Sequence, residues 1–215
     1  VTLRRDAQRN REALLAAARE VFAASGLDAP LDEIARRAQV GNATLYRHFP
    51  DRAALVEAVF HERLTSTRRA GEEARARDDA WAGLTDYLEG IFAGLASDRA
   101  ANDLMTTGIR GVPSLDALHV HNRETVGTLL SRAQEQGVVR DDVVAEDLLF
   151  ALAALGRVVP ASAGVVPGAW RRYLALLLDC LRAEAARPLP APALTPDQLG
   201  RVLNDLGPHA APGSR

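Results

Sequence analysis

Apolar residues in this chain recur every three or four positions and almost nowhere at every second one, which restricts the fold more than any other feature. β-Branched residues are scattered, so strands are not expected and the fold class is all-α. The spacing predicts a first helix over about 8–25, with Leu14, Leu15, Ala18, Val21 and Phe22 on one face and Gly26 as its stop. A short helix at about 31–38 buries Ile34, Ala35 and Ala38. Gln39-Val40-Gly41 turns the chain into a third helix at 42–48, capped by Asn42 and ended before Pro50. Asp51 caps a long fourth helix that runs to about 76. A stripe of Trp81, Leu84, Leu88, Ile91 and Leu95 marks a helix from about 78. Others are expected at 99–108, at 114–136 with Gly137 as stop, and at 144–159 and 168–186, two strongly apolar segments separated by PASAGVVPG. RPLPAPALTPDQ reads as an extended Pro-rich linker, with a last helical turn or two near 196–205.

Composition narrows the function. The 215 residues are 47% apolar and 25% charged, as in globular proteins that work in water. No apolar run approaches the length of a membrane span, and no apolar segment follows the charged start VTLRRDAQRN as in a signal peptide. No membrane partner is expected, and a cytoplasmic location is the default. Every basic residue is arginine, which excludes a P-loop lysine, a Schiff-base lysine and a Ser-x-x-Lys nucleophile. Cys180 is the single cysteine, which excludes an intrachain disulfide and a multi-cysteine zinc site. Lying among leucines, it is expected to be a small buried hydrophobe. His119 and His121 are two positions apart and roughly 200° apart around a helix. His61-Glu62 starts like a zincin motif, but Thr65 stands where the second His belongs. Neither a metal site nor a cofactor is expected. Residues 1–77 carry 14 Arg against 11 Asp/Glu, and the remainder 12 Arg against 17, so the first third is the part suited to an anion.

The stretch VGNATLYRHFPDRAAL, 40–55, is where chemistry concentrates. On a helix over 42–48, Leu45 and Phe49 point to one side, where Ile34 and Val21 can receive them. Asn42, Thr44, Tyr46, Arg47 and His48 are left on the other faces. Arginine bonds guanine bidentately, and hydroxyls and imidazoles reach phosphate oxygens. Two short helices joined by a Gly-containing turn form a helix-turn-helix, whose second helix enters the major groove. Phe49 is therefore expected to pack and Tyr46 to touch DNA.

ALLAAAREVFAASG, LDEIARRAQV and ATLYRHF followed by DRAAL resemble the DNA-binding domain of the TetR family of transcriptional regulators over roughly residues 9–60. The resemblance implies a homodimeric repressor released from a double-stranded operator by a small-molecule effector. It implies base reading by Arg47 and phosphate contacts from Thr44, Tyr46 and His48. Arg52 stands where the family usually has lysine, and its guanidinium can still clamp a phosphate. Pro30 stands where the second helix usually has a Ser or Thr cap, so that hydroxyl's contact is lost or moved, with Arg36 and Arg37 nearby to compensate. Arg4, Arg5, Arg9 and Arg11 form either an arm on the DNA or a solvated start. The domains are then 1–52 for DNA binding, 53–186 for effector binding and dimerisation, and a Pro-rich tail over 187–215.

In the second domain, Tyr87, Phe92, Leu104, Met105, Asn122 and Val126 are expected to converge on one largely apolar effector space, with Phe150 closing it. Asn122 interrupts the stripe of Leu115, Leu118, Val126, Leu129 and Ala133 and is the candidate orienting group. Arg157, on a face with Phe150 and Glu146, is a lesser candidate. The plainer alternatives are an internal hydrogen bond for Asn122, an Arg157–Glu146 pair, and a core role for Trp81, Tyr87 and Phe92. Leu149, Leu152, Trp170, Leu174, Leu177 and Leu181, with Leu178 beside them, are expected to form a four-helix interface with a second copy. Two competing functions are an enzyme that acquired a helix-turn-helix, which no nucleophile–base pair supports, and an architectural or partner-recruiting DNA-binding protein without an effector.

Overall fold

A computed structural model describes residues 2–106, 109–163 and 165–205. Among them the chain forms ten α-helices, one short 3-10 helix (Ala183–Ala185) and no strand beyond one isolated bridge, between Val139 and Arg182. Helix α1 (Thr2–Ser25) starts well before the apolar stripe that predicted it. Its first turns are held by polar pairs one turn apart, Gln8 to Glu12 at 2.7 Å and Arg9 to Asp6 at 3.2 Å. The arginine-rich start is therefore helical backbone. Gly26, at φ +83°, ends α1 in the left-handed region.

Helix α2 (Leu31–Arg37) closes in a Schellman turn: the Val40 amide donates to the Ala35 carbonyl at 3.0 Å and the Gln39 amide to Arg36 at 3.1 Å. Gln39 occupies the left-handed position of that turn, at φ +57°. In α3 (Asn42–His48) Asn42 is the first helical residue and Gly41 the cap, so the expected Asn42 cap is displaced by one position. Asp51 does cap α4 (Arg52–Arg75), accepting from the Ala54 amide at 2.8 Å.

The remaining helices are α5 (Ala80–Ser97), α6 (Arg99–Thr106), α7 (Pro113–Glu135), α8 (Ala145–Ala163), α9 (Ala169–Cys180) and α10 (Pro196–Asp205). Two depart from expectation. Helix α8 continues through Pro160, whose missing amide leaves the Gly156 carbonyl without its helical donor; Asn102 of α6 supplies one through Nδ2 at 3.0 Å. Helix α9 stops early because the strand-like segment at 138–140 captures its end: the Arg140 amide donates to Leu181 and the Ala183 amide to Val138. The last helical turns expected near 196–205 are α10. Thr195 and Gln198 form a reciprocal capping box, and Leu199 of α10 is buried against α8.

Two apolar cores organise these helices. The first gathers α1 to α4 and also Ala100, Ala101 and Leu104 of α6 with Leu115 and Leu118 of α7. The second lies among α5, α7, α8 and α9. Helix α4 pairs more extensively with α7 than with any other helix, and Gly71 makes this approach possible, since a Cβ there would overlap the buried His121 imidazole. Burial pushes the His121 pKa down, and Arg75 and Arg68 push the same way, against Glu72 and a hydrogen bond to the Arg68 backbone. A lowered folded-state pKa means that the unfolded chain binds the proton first. Stability is therefore fully present above the free imidazole pKa and is lost as pH falls below it, by at most about 1.4 kcal/mol per pH unit. Urea unfolding at pH 7.5 and 5.5 is expected to show a steeper loss for the wild type than for His121→Gln; equal losses would mean that His121 is not the group responsible.

Candidate DNA-reading helix and second-domain sites

The side chains of α3 separate into two sets. Leu45 and Phe49 are each 1% exposed, in the core with Ile34 and Val21. Tyr46 is 52% exposed, and Asn42, Ala43 and Arg47 face solvent with it. Thr44 is half-buried at the edge of this surface. The Arg11 guanidinium lies over the Phe49 ring, 4.6 Å from its centroid, and closes the back of the helix.

Two expected DNA contacts are placed otherwise. His48 turns inward: its Nε2 is buried with no partner among the described residues, and its ring packs 6.4 Å from that of Phe49. It borders a groove of about 360 Å³ behind α3, with Arg11, Glu57 and His61. The chain leaves helical geometry at Phe49, with φ −137°. Arg52 is half-buried and donates through one terminal nitrogen to the Leu27 and Ala29 carbonyls. It fastens the α1–α2 connection rather than reaching out as a clamp. Pro30 caps α2 without any side-chain bond, Arg37 pairs with Glu20 at 2.6 Å, and Arg36 is exposed.

The reading unit is tied to the second domain through α4 and α7. Glu57 of α4 accepts from the Ser114 amide at 3.0 Å and from its hydroxyl at 2.5 Å, and so caps the start of α7 from outside. His61 reaches the same Ser114 hydroxyl at 2.9 Å. Burial raises the Glu57 pKa, but the bonds from Ser114 and His61 outweigh it and leave the carboxyl below its ordinary value.

The expected effector residues are brought together only in part. Tyr87, Phe92 and Val126 lie in the second core, where Phe92 stacks on Trp170 with centroids 6.1 Å apart. Leu104 lies in the first core with Met105 against it. Phe150 and Arg157 face solvent on α8. Glu146 accepts from Arg123 at 2.9 Å, and Arg157 is roughly 16 Å further along the helix, so the expected pair does not form. Asn122 accepts from the Tyr87 hydroxyl at 2.6 Å. Burial pushes the Tyr87 pKa up to about 12, so the phenol remains a protonated donor.

A different opening is present. Between α4 and α5 lies a groove of about 400 Å³, bordered by Ala70, Glu73, Arg77, Tyr87, Gly90 and Ile91 among others. Only Tyr87 of these belonged to the expected set. The available signal was the small residues Ala70, Ala74 and Gly90 on helices that face each other.

The expected dimer face is also redistributed. Trp170, 3% exposed, and Leu174 and Leu181 are buried in the chain's own core, with Leu149, Leu152 and Leu177 packed against it. The apolar side chains left in solvent are Phe150 and Val158 on α8 and Tyr173 and Leu176 on α9. Cys180 is exposed on the latter face and is not a buried hydrophobe.

A short helix that shows solvent a tyrosine, an arginine and an asparagine, docked by two apolar residues behind a tight turn, defines a helix-turn-helix DNA-binding protein. The chain belongs to the TetR family of transcriptional regulators. Residues 14–59 match the family model "Bacterial regulatory proteins, tetR family", and 79–183 match "Transcriptional regulator SbtR-like, C-terminal domain". A TetR transcription regulatory protein of Mycobacterium vanbaalenii is 32% identical over 84% of this chain and 99% of its own, with a TM-score of 0.50. A TetR transcriptional regulator of Streptomyces coelicolor is 28% identical over 80% and 98%, with a TM-score of 0.53. SmeT, the repressor of the Stenotrophomonas maltophilia multidrug efflux pump SmeDEF, shares the fold at 22% identity over 84% and 97%, with a TM-score of 0.59. No curated protein matches the sequence. Family membership makes the chain a DNA-binding regulator and not an enzyme. Among its described residues no helix is long and apolar enough to cross a membrane.

Proposed function

We propose that the chain is a cytoplasmic homodimeric repressor that holds a double-stranded operator with α3 and releases it when a small molecule binds the second domain. The observation that carries this reading is the division of α3, with Tyr46 and Arg47 in solvent above a buried Leu45 and Phe49. Arg47 reads a base, Asn42 lies beside it on the same surface, and Tyr46 and Thr44 reach phosphates. Phe150, Val158, Tyr173 and Leu176 form the contact with the second copy. Helix α4 runs from the reading unit to the α4–α5 groove, so displacement at its far end changes the spacing of two reading heads. SmeT, of the same fold, is a repressor and forms a complex with triclosan.

Arg47 and Tyr46 are expected to fail differently. On an operator selected from random duplexes, Arg47→Ala should cost about 1–3 kcal/mol and relax preference at one base pair per half-site. Tyr46→Phe should weaken all sequences alike, because a phosphate carries no sequence information. Fluorescence anisotropy across single-base operator variants separates the two, and an unchanged preference in Arg47→Ala removes its reading role.

A further inference from the structure

We infer that the groove between α4 and α5 is a binding site for a small organic cation with an apolar body, with Glu73 as its counter-ion. This rests on the proposal that the second domain takes an effector, and it assigns both the place and the class of ligand. Tyr87 and Ile91 from α5 and Ala70 and Ala74 from α4 supply the apolar part of the groove's lining. Its volume of about 400 Å³ falls within the range of drug-sized sites. Gly90 borders it at an exposed position where a Cβ would meet nothing within 4 Å, so a larger side chain there projects into open space.

Charge decides the class. The rim carries two carboxylates, Glu73 and Asp86, and one guanidinium, Arg77. Arg77 is committed to Asp86, with a further bond to the Ala82 carbonyl at 3.3 Å. Glu73 has no ion pair or hydrogen bond among the described residues. A cleft with a partly apolar lining and one carboxylate outside any ion pair attracts a cation with a greasy body and repels an anion of the same shape. Tyr87 then links the site to the rest of the domain. Its ring lines the groove, and its hydroxyl is bonded to Asn122 of α7, the helix that packs against α4 at Gly71. Asn122 thus acts behind the site, through Tyr87, rather than on the ligand.

Two probes of equal shape and opposite charge test this on the full-length protein: tetraphenylphosphonium and tetraphenylborate. Calorimetry is expected to show binding of tetraphenylphosphonium at least tenfold tighter than of tetraphenylborate. Glu73→Gln should weaken the cation at least tenfold, and Gly90→Leu, which fills open space, should remove its binding. Both variants should keep the wild-type circular dichroism and operator affinity. Preference for the borate, absence of cation binding, or cation binding that survives both substitutions would overturn the site. Cation binding that depends on Glu73 and Gly90 but leaves operator affinity unchanged would uphold the site and remove the effector reading instead.

Discussion

Truncation of Phe49 to alanine is expected to remove about 3–5 kcal/mol of stability, a large part of the roughly 5–15 kcal/mol that a folded domain has. The ring is fully buried between α1 and α4, with Arg11 stacked on its outer face. Its loss leaves a cavity and also frees the guanidinium. The helix that carries Tyr46 and Arg47 is only two turns long and cannot hold its shape without that anchor. Tyr46→Ala, three residues away on the exposed side, should fall within about 0.5 kcal/mol of wild type while losing operator affinity. Urea unfolding measures both, and similar losses from the two variants would contradict the separation of packing from contact on α3.

The second large effect concerns assembly. Replacement of Tyr173 and Leu176 together by glutamate is expected to give folded monomers, because both side chains face solvent in the single chain. A monomer binds one half-site alone and forgoes the linked second contact, which is worth on the order of 100-fold or more in affinity. Sedimentation should show the mass of one chain, circular dichroism an unchanged helix content, and anisotropy a loss of that order. Trp170→Ala should behave otherwise and destabilise the chain itself, since Trp170 is stacked on Phe92 inside the second core. A double variant that remains dimeric would move the interface off α8 and α9.

Local features were legible in the sequence. Gly26 and Gly137 end helices in left-handed conformation, Asp51 caps α4, and Leu45 and Phe49 dock α3, all as spacing alone requires. Long-range partners were not legible. Periodicity marks the apolar sides of α9 but not that α5 takes the Trp170–Leu174 side while the Tyr173–Leu176 side remains in solvent. It placed Leu104 beside Tyr87, whereas α6 packs instead on the DNA-binding core. The inward turn of His48 brings its ring against Phe49, and the capture of Arg52 depends on two loop carbonyls; neither is a pattern in the chain. The helical turns near 196–205 were legible too, and their capping box, Thr195 and Gln198, stands in the chain as T-x-x-Q.

That α3, presented twice by a symmetric dimer, reads DNA sequence is tested most directly by in vitro selection from a random duplex pool with the full-length protein. The expected result is enrichment of a palindrome with two half-sites related by a dyad, bound at least a thousandfold (about 4 kcal/mol) more tightly than random duplex. A pool that enriches no sequence, or only a single half-site, would contradict it.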